Sequence, residues 1–207
     1  MWTATYSGIC DHVVVDVEIA HTTEETPGGW DATDKLGVAV ACLWEYQTQR
    51  MRVYGPEDVE ALRERLLKAD RISGYNVWNF DFPVIWGVPK KDWNGAQDPD
   101  GHVAYIRRQL QPITNDLLRR MWIAQGFNPD VWQPGMGGSK LDDIAGATIR
   151  ARKIGNGADA PKWYQAGQVQ RVVNYCADDV AIERDLTDFV DRYGYVIHQG
   201  KQLFLKR

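Results

Sequence analysis

The chain has 207 residues, 44% hydrophobic and 25% charged, with a net charge of -4. That is the profile of one globular domain with a proper core, and the acidic balance argues against nucleic-acid binding through bulk positive charge. No apolar run approaches the about 20 residues of a membrane span, and Met1 to Tyr6 lacks the basic and apolar regions of an export signal. Cys10, Cys42 and Cys176 are too few and too scattered for a disulfide framework or a zinc ribbon, so a reducing cytoplasm is the expected setting.

Residues 12–19 are nearly all apolar and β-branched around Asp16 and Glu18, which predicts a buried strand. The stretch from Thr22 to Asp34, with Pro27-Gly28-Gly29, reads as a loop long enough to have a function. Leu36–Tyr46 and Met51–Tyr54 read as a hairpin turned by Gln47-Thr48-Gln49. Pro56 opens a helix through Lys68, and Arg71–Tyr75 is a short strand ending at Asn76.

A helix should begin near Pro83, followed by a loop over 87–101 rich in Gly, Pro, Asp and Asn. Helices are predicted around 103–110 and 115–125, the second capped by Thr114 or Asn115. Pro134–Gly138 reads as a hinge, with Ser139 capping a helix through Ala147. Arg150–Lys162 is a basic, Gly-containing stretch. A long helix over 167–192 should stop at Gly194, and Tyr195–Leu205 should form a hairpin turning at Gln199-Gly200-Lys201. The order strand, strand, strand, helix, strand, helix, then further helices predicts an α/β fold of ribonuclease-H-like type. Its mixed β-sheet would be flanked by helices, in a single domain over 1–207 with its core at about 12–192.

Side chains two apart on a strand share a face, so Asp16 and Glu18 point the same way. Burying both without a partner is costly, and divalent cations are a natural partner for carboxylate oxygens. The alternative is a strand end with two solvated acids. Asp81 sits at a predicted helix start, where capping free amides is its competing role. Tyr175 and Asp179 lie four apart on the predicted long helix and share a face, while Asp178 points elsewhere. A core tyrosine beside a solvated Asp is the alternative there. Taken together, Asp16, Glu18, Asp81 and Asp179 gather four carboxylates that would repel one another and raise each other's pKa. Two metals about 3.5–4 Å apart would relieve this and set up phosphodiester hydrolysis.

The chain here resembles the DEDD superfamily of 3′–5′ exonucleases, which includes proofreading exonuclease domains, ribonuclease D and oligoribonuclease. Asp16-Val17-Glu18 is similar to its first motif, Asn76 to Asp81 to its second, and Tyr175 to Asp179 to its third. Tyr four before the last Asp marks the tyrosine (DEDDy) branch; the histidine branch would need His where Asn174 stands. Ser139 to Ala145, Lys153 to Gly157, and Gly167 resemble a ribonuclease-H-like nuclease group of phages and helicase-associated proteins. Ile19, in place of a common Thr, is a departure that removes no ligand.

The resemblance implies two Mg²⁺ or Mn²⁺ ions, with Asp16 bridging them and Glu18, Asp81 and Asp179 completing their shells. Tyr175 would align the attacking water, and a nucleoside 5′-monophosphate would leave the 3′ end of single-stranded DNA or RNA. Any helicase or polymerase would be a separate partner, since the chain holds no such segment.

Asn76, Trp78, Arg152 and Lys153 are the candidate substrate-binding residues: Trp78 for stacking on a base, Arg152 and Lys153 for phosphate. Turn, core and solvated-loop roles compete with these. Gly135-Met136-Gly137-Gly138 lacks the Lys-Ser/Thr of a P-loop, and the four histidines show no metal spacing. Competing functions are a binding module on the same fold and an endonuclease using the same acids.

Overall fold

The computed structural model describes residues 10–95 and 98–205. The amino-terminal residues read for a leader lie outside this range. Five strands form one mixed sheet: β1 (His12–Ile19), β2 (Val38–Glu45), β3 (Arg50–Tyr54), β4 (Arg71–Gly74) and β5 (Thr114–Asp116), in the spatial order β3-β2-β1-β4-β5. The first three run antiparallel, while β1, β4 and β5 are parallel neighbours. A two-stranded hairpin, β6 (Tyr195–His198) with β7 (Lys201–Phe204), closes the chain. Its turn uses positive φ at Gln199 and Gly200, the primed geometry that matches strand twist. The expected fold class, a mixed α/β sheet flanked by helices with a small C-terminal hairpin, is what the chain adopts.

Alternation along β1 sorts its side chains between two layers. Val13, Val15, Val17 and Ile19 join a core with Leu62 and Leu66 of α2 (Val59–Leu67) and with Phe82 and Ile85 of α3 (Asp81–Trp86). Val14 faces the other layer, packing with Cys42 of β2 and with Val172, Cys176 and Val180 of a 25-residue helix, Val169–Tyr193. Asp16 and Glu18 therefore face this long helix. Gly194, at φ 78, ends that helix where a left-handed residue is required. Arg71 of β4 makes two hydrogen bonds to Asp191, of 2.6 and 2.8 Å, and fixes the helix to the sheet.

Several local expectations are corrected. The stretch from Thr22 to Asp34 is not all loop: Gly29–Asp31 forms a 3-10 turn, and a short helix (α1) over Thr33–Leu36 takes Leu36 from the expected strand, which starts at Val38. Within the loop expected at 87–101 there is a helical turn, α4 (Lys90–Trp93), because the Trp93 ring is drawn into the aromatic core beside Phe82 and Trp78. After α5 (His102–Leu110), the segment expected to begin a helix at 115 instead supplies strand β5. The cap of α6 (Leu117–Ala124) is accordingly Asp116, whose carboxylate accepts from Arg119 N–H, rather than Thr114 or Asn115.

Ser139 does not cap α7 (Leu141–Ile149), which starts after Lys140; the Ser139 hydroxyl lies 3.3 Å from His198 of the hairpin. The stretch 150–162 opens the short helix α8 (Ala160–Gln165), and the long helix is α9. Among the described residues, no helix is long and apolar enough to cross a membrane.

Candidate metal centre

The centre forms where β1 outruns β4. Parallel pairing between them ends at Val14 with Ser73, and the chain then turns away at Gly74. A Cβ at Gly74 would stand 3.0 Å from the Val15 carbonyl oxygen and from Val77, so only glycine lets the chain pass this close to β1. The turn that follows needs Asn76 at φ 69, a left-handed conformation that asparagine tolerates. Asp116 holds it there: its two oxygens accept the backbone N–H groups of Asn76 and Trp78, each at 3.0 Å. The gap left beside β1 admits Asp81, the first residue of α3, and its Oδ1 accepts the Val17 N–H at 3.0 Å. A crevice at the carboxyl ends of parallel strands is the usual place for chemistry in such sheets.

Oxygens of Asp16, Glu18 and Asp179 lie within 4.8 Å of one another, and this cluster can hold a metal ion. The donor set is all carboxylate oxygen, which suits a hard divalent cation. One buried atom, Asp179 Oδ1, has no hydrogen-bond partner and so retains a free acceptor. Asp81 stands beside this tightest set, with one oxygen taken by β1 but its charge still felt by Asp16 and Glu18.

The electrostatics fit a site built for added positive charge. Burial, then the Asp179 charge, pushes Asp16 up to about 7, against Lys153 and the Cys176 thiol. Burial followed by Asp16 raises Glu18 and Asp81 well above the carboxylate range. Among the described residues Lys153 supplies the one close cation, its ammonium 2.5 Å from Asp179 Oδ2. Burial opposes that charge, yet Asp179 and Asp16 hold the Lys153 pKa above its ordinary value.

Tyr175, one helical turn before Asp179, is 1% exposed, and its hydroxyl has no well-formed hydrogen bond. Its ring meets Trp163 edge-on at 5.8 Å. The backbone at Gly155 presses on both rings, since a Cβ there would come within 3.2 Å of each. Burial raises the Tyr175 pKa, so the phenol stays protonated at neutral pH.

The remaining predicted residues separate. Asn76 and Lys153 line the same cleft as the acids, of about 300 Å³. Trp78 does not: it is 3% exposed, packed against Phe82 and Trp93 with Arg107 and Arg119 near its ring, and offers no open face to a base. Arg152 points to solvent and pairs with Asp142 at 3.2 Å. Both depart from the expected substrate contacts. For Trp78 the cause is the pull of a large aromatic ring into the core; for Arg152 it is the turn after α7, whose Asp142 also accepts the Lys153 N–H.

Sequence reading missed Glu183. It lies four residues beyond Asp179 on α9, is 1% exposed, and has an unpartnered Oε2. Burial first, then the charges of Asp16, Asp81 and Asp179, drive its pKa well above the ordinary carboxylate range. The signal was the spacing itself, because Tyr175, Asp179 and Glu183 repeat every four residues along one helix face. Asp116, Asn79, Lys90 and Trp30 were missed as well; the last three line the acid cleft.

No protein-family model matches the chain, and no similar sequence is found among characterised proteins.

Proposed function

We propose that the chain is a metal-dependent 3′–5′ exonuclease of the DEDDy type, acting on single-stranded DNA or RNA. The observation that carries this reading is the convergence of Asp16, Glu18 and Asp179 oxygens within 4.8 Å, with Asp81 tied to the backbone between the first two. Asp16, Glu18, Asp81 and Asp179 would hold two ions, Mg²⁺ or Mn²⁺. When bound, these would polarise the scissile phosphodiester, acidify the attacking water and offset charge on the leaving oxygen.

The chain's own residues do the rest. Tyr175 keeps its proton, so it orients the water by hydrogen bonding and does not act as a base. Lys153 carries a fixed positive charge at the cleft wall. Once the acids are neutralised it is free to meet a phosphate oxygen. Asn76 and Asn79 offer amide groups to the strand. Attack of water on phosphorus breaks the bond to the 3′ oxygen and releases a nucleoside 5′-monophosphate. A separate helicase or polymerase would supply such ends. The buried free thiols of Cys42 and Cys176 fit a reducing compartment such as the cytoplasm.

An end-labelled oligonucleotide assay tests the reading. A ladder shortening from the 3′ end in Mg²⁺ or Mn²⁺, abolished by EDTA and by Asp16→Asn, is the expected result. Internal cuts, or binding with no cleavage under any divalent ion, would overturn it.

A further inference from the structure

A second cleft, of about 250 Å³, opens directly from the first, and Asn76, Asn79 and Lys90 line both. Its far wall is Trp132, 76% exposed and a member of no ring cluster among the described residues. A tryptophan this exposed can offer its face to a base where the segment that carries it is held in place. Here the segment is held in place. Trp122 Nε1 donates to the Met136 carbonyl at 3.0 Å, and Arg119 donates to the Pro129 carbonyl at 3.2 Å and to Asp130 at 2.7 Å. Met136 is itself buried. Trp132 is thus a fixed platform. On the opposite side, Trp30, 60% exposed, leans on Phe80 at 5.5 Å and overlooks the acid cleft.

The charge at the junction of the two clefts is positive. Lys90 is half-buried at the junction of the two clefts and has no carboxylate partner among the described residues. The one acid on the second cleft, Asp130, is already paired with Arg119. An unpaired cation flanked by amides, with an open indole beyond it, suits a backbone phosphate followed by an unstacked base.

We propose that this second cleft is a base-stacking subsite for single-stranded nucleic acid, in which Trp132 stacks on one base and Lys90 holds the phosphate that joins it to the nucleotide in the acid cleft. The proposal rests on the nuclease reading for the occupant of the acid cleft, but the binding it describes needs no cleavage. A folded duplex cannot present one unstacked base to an indole, so the subsite selects single strands.

Fluorescence anisotropy with a labelled thymidylate dodecamer in Ca²⁺ tests this, with unlabelled thymidine 5′-monophosphate as competitor. Trp132→Ala should weaken dodecamer binding about tenfold or more, and Trp132→Phe should restore most of it. Lys90→Met should weaken it and flatten its salt dependence. Competition by the mononucleotide, which fills the acid cleft alone, should be unchanged in Trp132→Ala, and Val131→Ala, an exposed neighbour, should bind as wild type.

Wild-type affinity in both Trp132→Ala and Lys90→Met would overturn the subsite, as would a wild type that binds no dodecamer. Binding that depends on Trp132, by a protein that releases no mononucleotide in Mg²⁺, Mn²⁺ or any other divalent ion, would sink the nuclease reading and leave the subsite standing. Cleavage with Trp132 and Lys90 dispensable would do the reverse.

Discussion

Neutralising one acid of the cluster should make the metal-free protein more stable while destroying its response to metal. Asp16 is the place to test it. Its carboxyl is raised from 3.8 to about 7, first by burial and then by Asp179. A carboxylate moved that far costs the folded state about 4 kcal/mol once both states are ionised. Water reaching the partly exposed edge of Asp16 screens part of this, leaving about 2–3 kcal/mol. In a chain of this size each kcal/mol moves Tm by about 2–4 °C, so Asp16→Asn should melt about 5–10 °C above wild type in EDTA at pH 8.

The sign of the pH dependence follows. A carboxyl raised by folding favours the native state at low pH, and that advantage is lost as pH climbs from the unfolded pKa through the folded one. The gap between variant and wild type should therefore be absent near pH 4, open between about pH 4 and 7, and stay constant above. Adding Mn²⁺ should reverse the order, since an ion at about a thousandfold its Kd stabilises wild type by about 4.1 kcal/mol. Thermal melts by circular dichroism across pH, with and without Mn²⁺, read all of this. A variant no more stable than wild type at pH 8 in EDTA, or a gap equally wide at pH 4, would show that the acids do not strain one another.

Three further outcomes are expected. Lys153→Met removes the partner of a buried Asp179 and should cost about 3 kcal/mol in urea unfolding without metal; Mn²⁺ should restore most of it, and an unchanged midpoint in EDTA would contradict the pairing. Tyr175→Phe deletes a hydroxyl with no well-formed hydrogen bond, so stability should hold within about 1 kcal/mol while nuclease turnover falls roughly 10- to 100-fold; an unaltered rate would remove Tyr175 from the mechanism. Gly155→Ala should push its methyl into the rings of Tyr175 and Trp163, slowing turnover more than it lowers Tm; equal rates would mean the loop yields without moving Tyr175.

Much of the centre was legible because its geometry is local. Asp16 and Glu18 share a face by strand period alone, and Tyr175 and Asp179 by helix period, so the structure needed only to bring β1 against α9. What could not be read depends on contacts across the chain. Strand β5 is three polar residues, Thr114 to Asp116, with no alternation to mark it; it exists because β4 lies ready to pair. Asp116 then holds the turn at Asn76, a role visible only once residues 40 apart have met. Trp78 sits inside the second motif, yet its large apolar ring is better satisfied by Trp93 and Phe82 than by the cleft. Glu183 was within reach of the helix period, four residues beyond Asp179, but only its burial against the cluster marks it.

The ammonium of Lys153 at Asp179 has an implication for how such a protein matures. Because the scaffold carries its own tethered counter-charge, part of the repulsion in the crevice is relieved before any ion arrives. The polypeptide can then assemble in a medium poor in divalent ions and be loaded afterwards. An arriving ion would find Asp179 Oδ1 open and would compete with the ammonium only for the second oxygen.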